Sequence, residues 1–109
     1  MSRKCFVNGS DDFMEALSSL DPKSRIKREI DKAIDDLKLN PTAGNRIEKK
    51  LWPAKYARKY QINNLFRYPL PDGWRLTYTI ISDYKRVVSV ILDALDHAAY
   101  DRLLGYHSS

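Results

Sequence analysis

The chain has 109 residues, a length that fits one domain. Hydrophobic residues make up 43% and charged residues 30%, an ordinary globular composition, and no apolar run nears the ~20 residues that cross a bilayer. The formal net charge is +5, and the single cysteine, Cys5, excludes an internal disulfide and a cysteine-based metal site. One domain over residues 1–109 is expected. The opening "MSRKCFVNGSDD" has no apolar stretch of signal-peptide length, so a cytoplasmic location with no membrane contact is expected.

In chain order, "KCFV" (4–7) reads as a short strand and "NGS" as a turn. Ser10 or Asp11 can cap a first helix with Phe13, Ala16, Leu17 and Leu20 on one face. Asp21-Pro22 breaks it, and Pro22 suits the first turn of a second helix. Ile26, Ile30, Ala33, Ile34 and Leu37 form that helix's apolar stripe. Asn40-Pro41 ends it, because the residue before proline avoids the helical region. Residues 41–64 allow two readings: one or two helical turns broken at Pro53, or an irregular basic segment.

Three strands follow: "LFRYPL" (65–70), "WRLTYTII" (74–81) and "RVVSVIL" (86–92), all rich in aromatic and β-branched residues. "PDG" and "SDYK" turn between them. "LDHAAYDRLLGY" reads as a terminal helix, capped by Asp93 or Asp96 and stopping at Gly105. The expected class is α+β. A two-helix hairpin packs on an antiparallel sheet of three to four strands, with a short C-terminal helix. The simplest packing puts the helices on one face and leaves the other partly open.

Charge is unevenly spread. Arg46, Lys49, Lys50, Lys55, Arg58, Lys59 and Arg67 face one acid, Glu48, between residues 45 and 67, and Trp52, Tyr56, Tyr60 and Phe66 are interleaved. This suits nucleic acid or an acidic partner; a solvated basic face without ligand is the alternative. Strand alternation brings Arg67 and Arg75 to one face if "PDG" is a three-residue loop, with Arg67 opposite Thr77 and Leu70 opposite Trp74. Two arginines so placed repel, and need a phosphate, solvent ions or an acid such as Asp93 or the terminal carboxylate. His97 and Tyr100 share a helix face, where a histidine can exchange a proton and a tyrosine can stack or donate one. A lone histidine near a helix start is more often structural. No glycine loop for phosphate, Ser-His-Asp pattern or metal-ligand cluster stands out, so neither cofactor nor metal is expected.

The chain resembles the RelE/ParE toxin superfamily of toxin–antitoxin systems. "IDKAIDDLKLNPTAGNRIEKKL", "NLFRYPLPDGWRLTYTI" and "VVSVILDALDHAAYDRLLGY" carry the likeness, over nearly the whole chain. The resemblance implies two helices on a curved antiparallel sheet, and a toxin neutralised by an acidic antitoxin. Its RelE branch implies a metal-free endoribonuclease cutting mRNA on the ribosome, in which the RNA 2′-hydroxyl attacks the adjacent phosphate. By position the resemblance implies Arg67, Arg75 and His97 as catalytic residues, with Tyr100 or Tyr106 as the aromatic of the terminal helix and Tyr100 taken for the chemistry; the basic, aromatic stretch, longer than a minimal member's, offers Lys49, Lys50, Lys55, Arg58 and Lys59 as RNA contacts, with Tyr106. Pro69 departs from the pattern by standing where nuclease members often carry a second base. The ParE branch implies a gyrase poison instead, and a non-toxic RNA- or protein-binding relative is a third outcome.

Overall fold

The computed structural model describes residues 3–104; the expected helix stop at Gly105 and the candidate Tyr106 lie outside them. In chain order come β1 (Lys4–Gly9), α1 (Asp11–Ser18), α2 (Arg25–Leu39), β2 (Asn45–Arg46), α3 (Ala54–Tyr60), β3 (Phe66–Pro69), β4 (Arg75–Ser82), β5 (Arg86–Leu95) and α4 (His97–Leu104). Short 3₁₀ turns occupy Lys49–Leu51 and Pro71–Gly73. The class is α+β, as expected.

Local chemistry sets the helix ends. Ser10, not Asp11, caps α1: its Oγ accepts the Phe13 N–H at 3.0 Å, and Asp11 and Asp12 fill the positive first turn. The second helix starts later than Pro22. Ser24 is its cap, accepting the Lys27 N–H at 3.2 Å, while Asp21-Pro22-Lys23 forms the turn between helices. The α2 stripe is as read, with Ile30, Ala33 and Leu37 buried. Asp96 rather than Asp93 serves α4, its Oδ1 accepting the Ala99 N–H at 2.8 Å.

The sheet differs from the expected three to four antiparallel strands. It has five, in the order β1-β5-β4-β3-β2, and it is mixed: β1 lies parallel to β5, with Phe6 opposite Val88. The β3–β4 register is the one expected from a three-residue loop. Arg67 stands opposite Thr77 and Pro69 opposite Arg75, and the Leu70 N–H donates to the Trp74 carbonyl at 2.8 Å. Apolar and polar residues separate accordingly. Phe66, Leu70, Leu76 and Tyr78 join Phe13, Ile30 and Leu37 in the core under α1 and α2.

The opposite face is covered only in part. A second core of Ile47, Tyr56, Leu65, Leu92, Tyr100 and Leu104 lies there, with Trp52 packed against it. The basic, aromatic segment 45–60 therefore folds over this face, breaking at Pro53 as one of the two readings had it. A bulge makes the fit. Thr77 pairs with Asp93 but Tyr78 with Ile91, so Leu92 is the extra residue of β5. Leu92 and Asp93 then both serve the α3 side. The Tyr56 hydroxyl bonds Thr77 Oγ1 at 2.7 Å and donates to Asp93 Oδ2 at 2.5 Å, satisfying a fully buried phenol.

Tyrosines also tie the first core. Tyr68 donates to Asp36 of α2 at 2.7 Å, and burial together with that carboxylate pushes its phenol up to about 12. Burial and Asp93 hold Tyr56 well above its ordinary value. Both shifts raise the folded-state value, so their contribution is whole below the ordinary 10.0 and is lost as pH rises beyond it. Urea unfolding at pH 9 and pH 11 should show wild type losing more stability between the two than Tyr68→Phe does. Equal losses would contradict this assignment.

Candidate functional site

One cleft, of about 500 Å³, is lined by Asn45, Arg67, Pro69, Arg75, His97, Tyr100 and Asp101. All four candidate catalytic residues thus come together, from β3, β4 and α4. Tyr100 is the hub. It is 3% exposed, anchored in the second core, and the Arg75 guanidinium lies 4.6 Å above its ring centroid. Its hydroxyl accepts from Arg67 Nη1 at 3.2 Å. One arginine therefore sits on the ring face and the other at the ring's polar end. The aromatic ring spaces two cations that would otherwise repel.

The turn before β4 aims Arg75. Asp72 (φ 63°) and Gly73 (φ 80°) are both left-handed, which turns the Gly73 carbonyl to accept from Arg75 Nη1 at 2.7 Å. A side chain on Gly73 would meet His97 Cβ at 3.1 Å as well as the unfavourable φ. The second Arg75 contact is His97 Nδ1, 3.5 Å from Nη1. Asp101, one turn on, lies 3.2 Å from His97 Nε2. A guanidinium only donates and a carboxylate accepts, so the compatible neutral tautomer carries its proton on Nε2 and turns the Nδ1 lone pair toward Arg75.

No carboxylate among the described residues forms an ion pair with Arg67 or Arg75. Asp93, one sequence candidate for that role, instead accepts from Tyr56 and lies 3.9 Å from Lys55 Nζ. The cleft thus holds two fork-shaped donors, a phenol and an imidazole beside solvent, with Asp101 and Asn45 at its wall. This set suits a tetrahedral oxyanion such as a phosphodiester.

Sequence reasoning passed over Asn45 and Asp101. Asn45 lies in the stretch 41–64 that allows two readings, and β2 pairs it opposite Arg67. The spacing of Asp101 from His97, one helical turn, was the signal available for it.

The basic candidates divide. Lys59 pairs with Asp12 at 2.6 Å, Lys55 with Asp93 at 3.9 Å and Lys50 with Glu48 at 3.5 Å. Lys49 and Arg58 are exposed, and among the described residues neither has an ion-pair partner. None of the five lines the cleft. Pro69 stands at its wall, and its missing N–H costs no ladder bond. The inward pattern of Leu70 turns the Pro69 nitrogen away from β4, toward an edge where β2 pairs only Phe66 and Arg67.

The chain matches no known protein family and no curated protein. Among the described residues, no helix is long and apolar enough to cross a membrane, and no three His, Cys, Asp or Glu side chains are grouped as a metal site would need.

Proposed function

We propose that the protein is a toxin of the RelE/ParE type and that its cleft cleaves RNA by internal transesterification, acting on mRNA at the ribosome, with an acidic antitoxin as its natural partner. The observation that carries this reading is the convergence of Arg67, Arg75, Tyr100 and His97 on one solvent-open cleft. The fold's two helices on one sheet face and its "GWRLTY" strand are compatible with that superfamily. The ribosome and the antitoxin enter through the resemblance to that superfamily.

The chemistry divides among the four side chains. The RNA 2′-oxygen attacks the adjacent phosphorus as the bond from phosphorus to the 5′-oxygen breaks. The products are a 2′,3′-cyclic phosphate and a 5′-hydroxyl. Arg75 and Arg67 bind the non-bridging oxygens, where charge grows in the transition state. The His97 imidazole, through the Nδ1 lone pair that faces Arg75, takes the 2′-hydroxyl proton. Asp101 holds the imidazolium that results. The Tyr100 hydroxyl, acceptor to Arg67, gives its own proton to the departing 5′-oxygen and recovers one from solvent.

A second reading is favoured by Pro69, which puts an apolar ring on the cleft wall beside the two arginines. It is a binding protein of the same fold, gyrase-directed or non-toxic, whose arginines hold an anion without cleaving it. Induced expression in a bacterial host, with primer extension on abundant messages, separates the readings. New 5′ ends within translated messages together with growth arrest are expected. Arrest with intact messages would move the reading to gyrase, and unimpaired growth would leave a binding module.

A further inference from the structure

A second cleft, of about 470 Å³, opens beside the first and is lined by Arg46, Ile47, Glu48, Lys49, Trp52 and Asn63. We propose that it is a nucleotide subsite: the Trp52 indole receives an unpaired base of single-stranded RNA, and Arg46 and Lys49 hold the phosphate beside that base. The inference rests on the RNA-cleaving reading of the neighbouring cleft and names where the rest of the substrate runs.

Three observations carry it. First, the indole is fixed rather than adaptable. Its Nε1–H donates to the Ile47 carbonyl at 2.9 Å, and the ring is half-buried against the second core. A fixed ring adjoining a cleft is a stacking platform with little ordering cost. Second, the cations carry no ion pair among the described residues. Arg46 lies over the Phe66 ring at 5.6 Å, and neither it nor Lys49 has a carboxylate in ion-pair range among the described residues. The acid of this cleft, Glu48, lies 3.5 Å from Lys50.

Third, consecutive residues of one edge line the two clefts, Asn45 the first and Arg46 and Ile47 the second. Asn45, in the first, faces Arg67 across the sheet edge, and the Ile47 N–H donates to the Leu65 carbonyl at 2.8 Å. Asn45 and Ile47 are two residues apart on one extended edge, a step of about 7 Å. Asn63 adds an amide to the cleft for a base edge.

The test uses Trp74→Phe protein, which leaves Trp52 as the one indole. The probe is a six-nucleotide RNA with a 2′-O-methyl group on every sugar, which cannot cleave. Saturable quenching of Trp52 fluorescence, weakening with salt, is expected. Lys49→Gln and Arg46→Gln should each weaken binding ~5-fold and flatten the salt dependence. Trp52→Leu keeps apolar bulk for the second core and should weaken binding ~10-fold in an anisotropy assay with a labelled probe. Thermal unfolding of each variant checks that the fold is kept. Trp52→Phe should recover most of the loss if stacking is the cause, which sets apart a purely structural role.

Binding that needs Arg67 and Arg75 but leaves Trp52 fluorescence and Trp52→Leu affinity unchanged would overturn the subsite and spare the nuclease reading. Quenching that persists while no RNA is ever cut would keep the subsite and overturn the nuclease. No binding by the probe would overturn the subsite, and cleavage assays would then decide the nuclease reading alone.

Discussion

Arg75→Ala is expected to lower the rate of RNA cleavage by on the order of 100-fold or more while leaving the fold intact. The side chain contacts Tyr100, the Gly73 carbonyl and His97, and it is only partly exposed. None of these contacts belongs to either hydrophobic core except the outer face of the Tyr100 ring. Truncation therefore removes the proposed phosphate ligand and releases His97 from one neighbour, with little change in packing. Arg75→Lys should recover little of the activity, because an ammonium cannot reproduce a fork that bonds a carbonyl and a phosphate together. Circular dichroism and thermal unfolding check the fold, and single-turnover cleavage checks the rate. Wild-type rates in a folded Arg75→Ala protein would remove this arginine from the chemistry.

Gly44→Ala should be the most damaging glycine-to-alanine change among the described residues. A Cβ at Gly44 would run into the Arg67 carbonyl oxygen and lie 2.8 Å from the Tyr78 hydroxyl. Neither neighbour can yield cheaply. The Arg67 carbonyl is sheet backbone, and the Tyr78 hydroxyl is bonded on two sides, accepting the Gly44 N–H at 3.0 Å and donating to the Pro41 carbonyl at 2.7 Å. The methyl would push β2 off β3 and move Asn45 away from Arg67. We expect a loss of about 3 kcal/mol, at the upper end for overpacking, and a Tm lower by ~10 °C or more. Because Arg67 lies on the displaced strand pair, residual folded protein should also cleave more slowly. Unfolding by guanidinium measures the first effect. An unchanged midpoint would show that the β2 edge relaxes freely.

Much of the site was legible because it depends on local rules. "PDG" between two alternating runs fixed the β3–β4 register, and the register decided that Arg67 and Arg75 share a face. The α2 stripe was legible for the same reason: fifteen helical residues give the 3.6-residue period room to show. Residues 41–64 were not, since a two-residue strand, a 3₁₀ turn and a seven-residue helix are each too short for periodicity to declare itself. The partner of β1 was hidden because it is parallel and distant, joining Lys4 to Arg86. The bulge at Leu92 breaks the alternation on which strand reading depends, so the second core could not be foreseen from β5. Lysines 55 and 59 looked free for RNA because Asp93 and Asp12, remote in sequence, meet them only in the fold.

The central claim is that the Arg67–Arg75–Tyr100–His97 cleft cuts RNA through its own 2′-hydroxyl. The most direct measurement gives purified protein to translating ribosomes carrying a message whose cut position has first been mapped, then repeats it with a single 2′-deoxy sugar at that position. Cleavage of the all-ribose message to a 2′,3′-cyclic phosphate and a 5′-hydroxyl is expected, and none at the deoxy position. Cleavage that continues at the deoxy sugar, or ends that carry a 5′-phosphate, would contradict it.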